Sequence, residues 1–376
     1  MTTISYLVHD TADAAVARRV RMFQAGGANV RLGGFNRRGA PAQVAGVQVH
    51  DLGRTADARL AGRALTVARH LARPGVARSV VRGAEVVVAR NLEMLAIAVR
   101  VAAPGQRIVF ECLDIHRLLL STGAAGRALR GIEHRLLRRV DLVLTSSPAF
   151  EGQYFRTRQG FDGPVLVEEN RLLDLADQPV PAATSRDRTA DAGPLQIGWF
   201  GMLRCRRSLA ILRDLVASNP GRIEVLIAGI PSYVEFDDFD RDVADVPGLS
   251  FVGRYRTQDL PQLYGSVDFA WAIDYFEEGL NSAWLLPNRL YESLALGAVP
   301  IALADVETGR WLERQGVGLR LREPSTDLAP LLQKLTAREI AGLARAVATL
   351  PRDRVVADES DCRALAAAVV GGEGLE

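Results

Sequence analysis

The chain has 376 residues, 48% of them hydrophobic and 24% charged, with a formal net charge of +2. That length suits two domains, each able to bury a core. The near-neutral balance excludes a general polyanion binder, so no nucleic-acid partner is expected. Lys334 is the only lysine, so nearly all the positive charge is arginine, which grips phosphate in a fork. Cys112, Cys205 and Cys362 are far apart and odd in number. They offer no disulfide framework and no metal-ligand pair, and they predict a reducing compartment. The opening MTTISYLVHD has no basic segment ahead of a long apolar run, so no signal peptide is expected. No stretch approaches the ~18–20 apolar residues of a membrane span. The expectation is a cytoplasmic protein, at most peripheral on the inner face of the cell membrane.

Short β-branched runs alternate with longer amphipathic ones, the signature of parallel sheets covered by helices. In the first half, strand Ile4–His9 leads to helix Asp13–Gln24, strands Val30–Phe35 and Val47–Leu52, and a long helix over Ala58–Arg82. Strand Val86–Ala89, helix Leu92–Ala102, strand Ile108–Leu113, helix Ala125–Arg138 and strands Leu142–Ser146 and Val165–Glu168 follow. These strands are nearly continuous apolar runs, as burial on both faces requires. The segment DQPVPAATSRDRTADAGP, Asp177–Pro194, has no apolar periodicity and reads as a linker. Strands then fall at Leu195–Phe200, Ile223–Ala228, Leu249–Val252, Phe269–Ile273, Val299–Leu303 and Val317–Leu321, with helices between them. Further helices are predicted at Leu328–Leu335, Ala337–Thr349 and Asp358–Val369. The predicted fold is α/β, with Rossmann-like domains at 1–176 and 195–352, a linker at 177–194, and a C-terminal helix in 353–376 that packs back on the first domain. Ligands bind such sheets at the carboxyl ends of the strands.

The segment LPNRLYESLALGAVPI, Leu286–Ile301, carries the clearest chemistry. Pro287 suits a helix start and Gly297 its end. Asn288 and Glu292, four apart, share a face, and Tyr291 lies on a neighbouring turn. A carboxylate there can accept both ribose hydroxyls, while the helix N-terminus offers free amides to a diphosphate. An ordinary amphipathic helix with a solvated glutamate gives the same pattern. The loop GMLRCRRS, Gly201–Ser208, follows the first strand of the second domain. Gly201 lets the backbone approach phosphates, and Arg204 with Arg206 or Arg207 supplies forked donors. Arginines capping a surface helix are the plain alternative.

With these residues in view, NRLYESLALGAVPI resembles the donor-site helix of the GT-B glycosyltransferases. The likeness covers the whole chain in architecture, and in motif the stretch Leu195–Leu321. It implies two doubly wound domains facing a central cleft, with a nucleotide sugar, UDP- or GDP-linked, as donor substrate. It also implies Glu292 on the ribose, Arg289 or Asn288 toward the diphosphate or sugar, and Gly201, Arg204, Arg206 and Arg207 at the diphosphate. Neither cofactor nor metal is expected, because protein cations stand where a metal would. Many retaining members carry two glutamates eight positions apart. Here Trp284 stands eight before Glu292, and the loop Asp274–Trp284 offers Asn281 and Ser282 near the donor sugar instead.

In the first half, FECLDIHR brings Asp114 and His116 to the carboxyl end of a buried strand. An inverting transfer needs a general base, and aspartate serves. The placement is similar to the aspartate of bacterial exopolysaccharide glucuronosyltransferases of the xanthan type. Asp114 as a helix cap, with His116 an ordinary surface residue, is the other reading. His9, Asp10, Arg90 and Asn91 end two further strands on the expected acceptor side. The basic helix GRALRGIEHRLLRRV, with Leu129, Ile132, Leu136 and Leu137 as apolar positions, suits either an anionic membrane or ordinary packing.

The expected function is transfer of a hexosyl or uronosyl group to a saccharide or polyprenyl-linked acceptor in exopolysaccharide assembly. A nucleotide-sugar 2-epimerase of the same shape and a non-catalytic nucleotide-sugar-binding regulator are the rivals. A nicotinamide oxidoreductase is disfavoured, since VHDTAD stands where G-x-G-x-x-G would follow the first strand.

Overall fold

The structure, a computed structural model, describes residues 2–37, 39–55, 60–184, 186 and 193–371, and of 60–65 the backbone alone. The chain divides into two compact units, Met1–Glu169 with Leu173–Gln178 and Ala357–Glu376, and Asn170–Leu172 with Pro179–Val356. Residues 185 and 187–192 of the Asp177–Pro194 segment lie outside the described residues.

Eight strands build the sheet of the first unit. They are β1 (Thr3–Val8), β2 (Asn29–Asn36), β3 (Gln43–Val44), β4 (Val47–Arg54), β5 (Val86–Arg90), β6 (Arg107–Cys112), β7 (Leu142–Thr145) and β8 (Val165–Val167). Their order is β3-β4-β2-β1-β5-β6-β7-β8. All neighbours run parallel except β3, a short antiparallel edge folded back on β4 by Ala45 and Gly46, both at positive φ. β9 (Leu172–Leu173) pairs with β16 (Val356–Ala357) in a separate ribbon. The second unit carries β10 (Leu195–Leu203), β11 (Ile223–Pro231), β12 (Leu249–Phe251), β13 (Phe269–Trp271), β14 (Val299–Leu303) and β15 (Leu319–Leu321). Their order is β12-β11-β10-β13-β14-β15, all parallel. In each sheet the chain builds outward one way from its first strand and then reverses, which opens a crevice beside that strand's carboxyl end.

Two elements differ from their expected form. The helix expected over Ala58–Arg82 is split into Leu60–Ala72 and Gly75–Val81. Pro74 lacks the amide a continuous helix needs and disfavours helical geometry at Arg73. Ala58 and Arg59 lie outside the described residues. Phe150–Arg156, for which no element was expected, is a π-helical turn that buries Phe150, Tyr154 and Phe155.

The predicted basic helix forms over Ala124–Leu137, but its inward face is partly polar. Glu133 is buried and accepts hydrogen bonds from Tyr154 and Gln159. Burial pushes its carboxyl up to about 7, against the pull of those two bonds. Ile132, one of the expected apolar positions, is 53% exposed, so it does not pack in the core.

The last helix, Glu359–Val370, starts from a capping box between Asp358 and Asp361. It lies against the helix Ala14–Ala25, and Cys362, Leu365 and Val369 join the core around Tyr6, Val20 and Phe23. The approach is close because Gly26 has no side chain. A Cβ there would sit 2.3 Å from the Cys362 carbonyl oxygen and 2.7 Å from Ala366 Cβ. Gly26→Ala is therefore expected to destabilise the first unit by about 1–3 kcal/mol through overpacking. Gly131→Ala is the contrast, since nothing lies within 4 Å of its added Cβ. In that exposed helix interior it should gain up to ~1 kcal/mol. Thermal melts of the two variants check this, and equal melting temperatures would contradict the close contact.

Candidate functional site

The crevice of the second unit lies between β10 and β13, and charge gathers there. Gly201 sits in β10 at φ 111° and pairs with Gly229 of β11 at φ 144°. The Gly229 amide in turn donates to the carbonyl of Gly253, at φ 82°, over 2.8 Å. Three adjacent strand ends thus carry a glycine in conformations that L side chains rarely adopt. At Gly229 the reason is direct, because a Cβ would meet the Gly201 oxygen at 1.8 Å. The edge is left as bare backbone that a ligand can approach.

Arg204 leaves the end of β10, and its guanidinium lies 4.4 Å over the Phe276 ring. Arg289 stands in the first turn of the helix Asn288–Leu296, which starts at Pro287 and is closed by Gly297 in the left-handed conformation. Both guanidiniums face Asp274, beyond β13, with N···O distances of 3.6 Å each. Asp274 is largely buried, and Arg289 Nη1 is buried with no hydrogen-bond partner. One turn on, Glu292 is half-buried and accepts from the Tyr264 hydroxyl over 2.9 Å. Burial pushes the Glu292 carboxyl up, while the Tyr264 bond and the Arg289 charge pull it down. Burial and the Glu292 charge likewise raise the Tyr255 phenol, whose oxygen lies 3.9 Å from a Cβ placed on Gly201. Gly201, Arg204, Arg289 and Glu292 are therefore gathered at one strand edge, with Asn288 exposed at the helix start.

Other expected site residues are employed differently. Tyr291 is a correction: its side chain has no exposed surface and packs edge-on against Trp311, so it belongs to the core. Arg206 is bound to Asp237 and the Glu235 carbonyl, and Arg207 to Glu278, Glu323 and the face of Tyr275. Their forks are occupied by exposed acids, away from Asp274. Asn281 and Ser282 are buried. The Ser282 hydroxyl accepts from the Glu277 amide at 3.0 Å and donates to Asp274 Oδ1 at 3.5 Å, which organises the loop. Asp274, Tyr264 and Tyr255 were missed. For Asp274 the signal was available, because it follows the strand that borders the crevice.

In the first unit, Arg90 is also corrected. It is 6% exposed, bonds Tyr6 and Asp13, and lies 3.7 Å from Glu111. It holds the interior together and is not presented to an acceptor. Asp10 accepts from the Ala12 amide and pairs with Arg37. His9 is half-buried, its Nδ1 has no partner, and burial and Arg90 lower its basicity. Asn91 has φ 73° and ψ 163°, a region almost confined to glycine, at the carboxyl end of β5. Asp114 is exposed beyond β6, and the short helix Arg117–Leu120 is capped by His116, whose Nδ1 accepts the Leu118 amide at 3.2 Å. Asp114 is thus not that helix's cap, and His116 is.

Among known proteins the chain is 45% identical over 372 residues to the succinoglycan biosynthesis protein ExoL of Rhizobium meliloti (strain 1021), covering 97% of this chain and 92% of that one. The chain belongs to the ExoL family. No family model matches it. By fold it is similar to Anabaena HepE, solved with UDP and glucose, at a TM-score of 0.68 and 14% identity over 99% of this chain and all of that one. Sucrose-phosphate synthase from Thermosynechococcus elongatus matches at a TM-score of 0.67 and 15% identity, over 94% of each chain. Two sheets of this order, parallel but for the β3 edge, and these likenesses give the chain the GT-B architecture. Among the described residues no helix is long and apolar enough to cross a membrane.

Arg289 and Arg206 separate by their partners. Arg289→Ala and Glu292→Ala are each expected to weaken nucleoside-diphosphate binding at least about tenfold, the loss of a charge-assisted contact. Arg206→Ala should change it less than about threefold, since a surface ion pair contributes little. Calorimetric titration of the three variants checks the ranking, and an equal effect at Arg206 would return that residue to the diphosphate site.

Proposed function

We propose that the protein is a glycosyltransferase that moves a hexosyl or uronosyl group from a nucleoside-diphosphate sugar to a saccharide or lipid-linked saccharide during exopolysaccharide assembly. The observation that carries this is the pair Arg204 and Arg289 at the crevice of the second unit, with one guanidinium nitrogen buried and unpartnered. A leaving nucleoside diphosphate accumulates charge as the glycosidic bond breaks, and cations fixed in advance stabilise that state most. Glu292 accepts the ribose hydroxyls, and the open amides of its helix take part of the diphosphate charge. HepE was solved with UDP and with UDP-glucose, which supports this donor class. Membership in the family of a polysaccharide biosynthesis protein favours transfer over 2-epimerisation. The guanidiniums do the electrostatic work of a divalent ion, so the proposed reaction needs no metal. A thermal-shift panel of UDP-, GDP- and dTDP-sugars in EDTA tests the reading. The matching donor at ~100 times its dissociation constant stabilises by ~2.7 kcal/mol. No shift with any donor would overturn it.

Asp114 is proposed as the general base, with inversion at the anomeric carbon. Support comes from its exposure just past β6 and from Trp284, which stands where a retaining enzyme's first glutamate would be. Asp114→Asn should lose roughly 10²–10⁴-fold in turnover with donor affinity little changed. NMR of the product should show inverted configuration; retention, or a near-normal mutant, would remove the assignment.

We further propose that the protein is cytoplasmic and attaches peripherally to the inner face of the cell membrane. The basic helix Ala124–Leu137 shows Arg127 and Arg135 to solvent, with Arg138 and Arg139 following and Ile132 exposed beside them. Arg130 instead turns back to the Leu119 and Ser121 carbonyls. Sedimentation with anionic liposomes at low salt should carry the protein down, and 0.5 M salt, at a Debye length of only a few ångströms, should release it. Protein left in the supernatant at low salt would refute membrane attachment.

A further inference from the structure

We infer that Asp274 is a positioning residue of the donor site, resting on the proposed diphosphate role of Arg204 and Arg289. Its carboxylate holds the two guanidiniums in place beside one another, and its charge limits how tightly the leaving nucleoside diphosphate is held.

The two carboxylate oxygens of Asp274 have separate tasks. Oδ1 accepts the Phe276 amide at 2.8 Å and the Ser282 hydroxyl at 3.5 Å, closing a turn that fixes the loop after β13. Oδ2 faces Arg204 Nη2 and Arg289 Nη2 at 3.6 Å each. Those distances exceed a hydrogen bond, which for N–H···O runs to about 3.2 Å. Asp274 therefore restrains both cations through charge without consuming their N–H forks, and Arg289 Nη1 in particular remains unpartnered. Arg204 is also steadied from below by the Phe276 ring, which the Asp274 turn itself positions. The three groups bring together one strand end, one loop and one helix start. Two free arginines would repel and take different rotamers; the carboxylate between them removes that choice before the donor arrives.

The carboxylate also has a cost. Once a diphosphate occupies the forks, Asp274 is a like charge only a few ångströms beyond them, and the Asp274 carboxylate is itself largely buried. Its repulsion is greatest when the leaving group carries its full charge after transfer. Asp274 thereby raises the reactivity of the pair and lowers the residence of the product.

The two effects have opposite signs in binding and turnover, and this separates positioning from mere structural support. Asp274→Asn keeps an acceptor for the Phe276 amide and removes the charge. It is expected to bind the nucleoside diphosphate about 3–10-fold more tightly, by relief of like-charge repulsion. Turnover should fall on the order of tenfold or more, because the guanidiniums are no longer held in place. Asp274→Ser, which can close the same turn, should behave likewise if the asparagine variant folds poorly. The assay is calorimetry with UDP, or whichever nucleoside diphosphate stabilises the parent, beside steady-state transfer and a melting curve. Unchanged affinity and turnover would overturn the inference. Both falling together with the melting temperature in both variants would also overturn it, leaving only a structural role. If Arg204→Ala and Arg289→Ala bind nucleotide as the parent does, the diphosphate site itself fails, a result distinct from either.

Discussion

Withdrawing a carboxylate from water costs free energy that cations beside it offset, and each domain sets one such carboxylate against two arginines. In the first unit Glu111 is fully buried, with Arg19 at 2.7 Å, Arg90 at 3.7 Å and the Tyr6 hydroxyl bonded to it. In the second unit Asp274 has Arg204 and Arg289, both at 3.6 Å. What differs is where the guanidinium donors go: Arg19 bonds Glu111 directly, and Arg90 is bound to Tyr6 and Asp13. Around Glu111 the donors are spent on acceptors inside the fold, and the cluster ties β1, β5, β6 and the helix Ala14–Ala25 into one interior. Around Asp274 the donors are aligned but unspent, and the cluster lies at a strand edge bared by Gly201 and Gly229. The same charge pattern is a fastening in one domain and leaves its cations open at a strand edge in the other.

Much of the architecture was legible in the chain because parallel strands buried on both faces are nearly continuous apolar runs. Val86–Ala89, Leu142–Ser146 and Val299–Leu303 could be read that way with small errors at their ends. The split at Pro74 was readable too, but the alanine- and arginine-rich run on either side outweighed a single breaker in the reading. The π-turn at Phe150–Arg156 leaves no periodic mark. Its three buried aromatics fit several local geometries, and the surrounding packing chooses among them.

The candidate site was legible in part. Gly201, Arg204, Arg289 and Glu292 lie close in the fold because they follow or flank strands that border the crevice. Local pattern could not separate Arg204 from Arg206 and Arg207, since three arginines within four positions look alike. What divides them is the acids they meet, Asp237 for one and Glu278 with Glu323 for another, all distant in sequence. Tyr291 was misplaced for a similar reason: on a nine-residue helix an aromatic beside Glu292 faces either the strand edge or Trp311, and tertiary packing chose the latter. Arg90 resembled an acceptor-side cation at a strand end, but Glu111 draws it inward.

The return of the chain to its first unit bears on how the protein is made. Cys362, Leu365 and Val369 fill the core beside Tyr6, Val20 and Phe23, yet they leave the ribosome after everything from Pro179 to Val356. At ~5–20 residues per second, the N-terminal sheet waits on the order of ten to forty seconds for its last helix. During that interval the face near Gly26 lacks its cover, whereas the second unit can close as soon as its own strands are out. Synthesis therefore completes the later domain first. A fragment cut at the boundary near Gln178 would inherit the same open face permanently, so an isolated first domain must carry the final helix grafted back onto it.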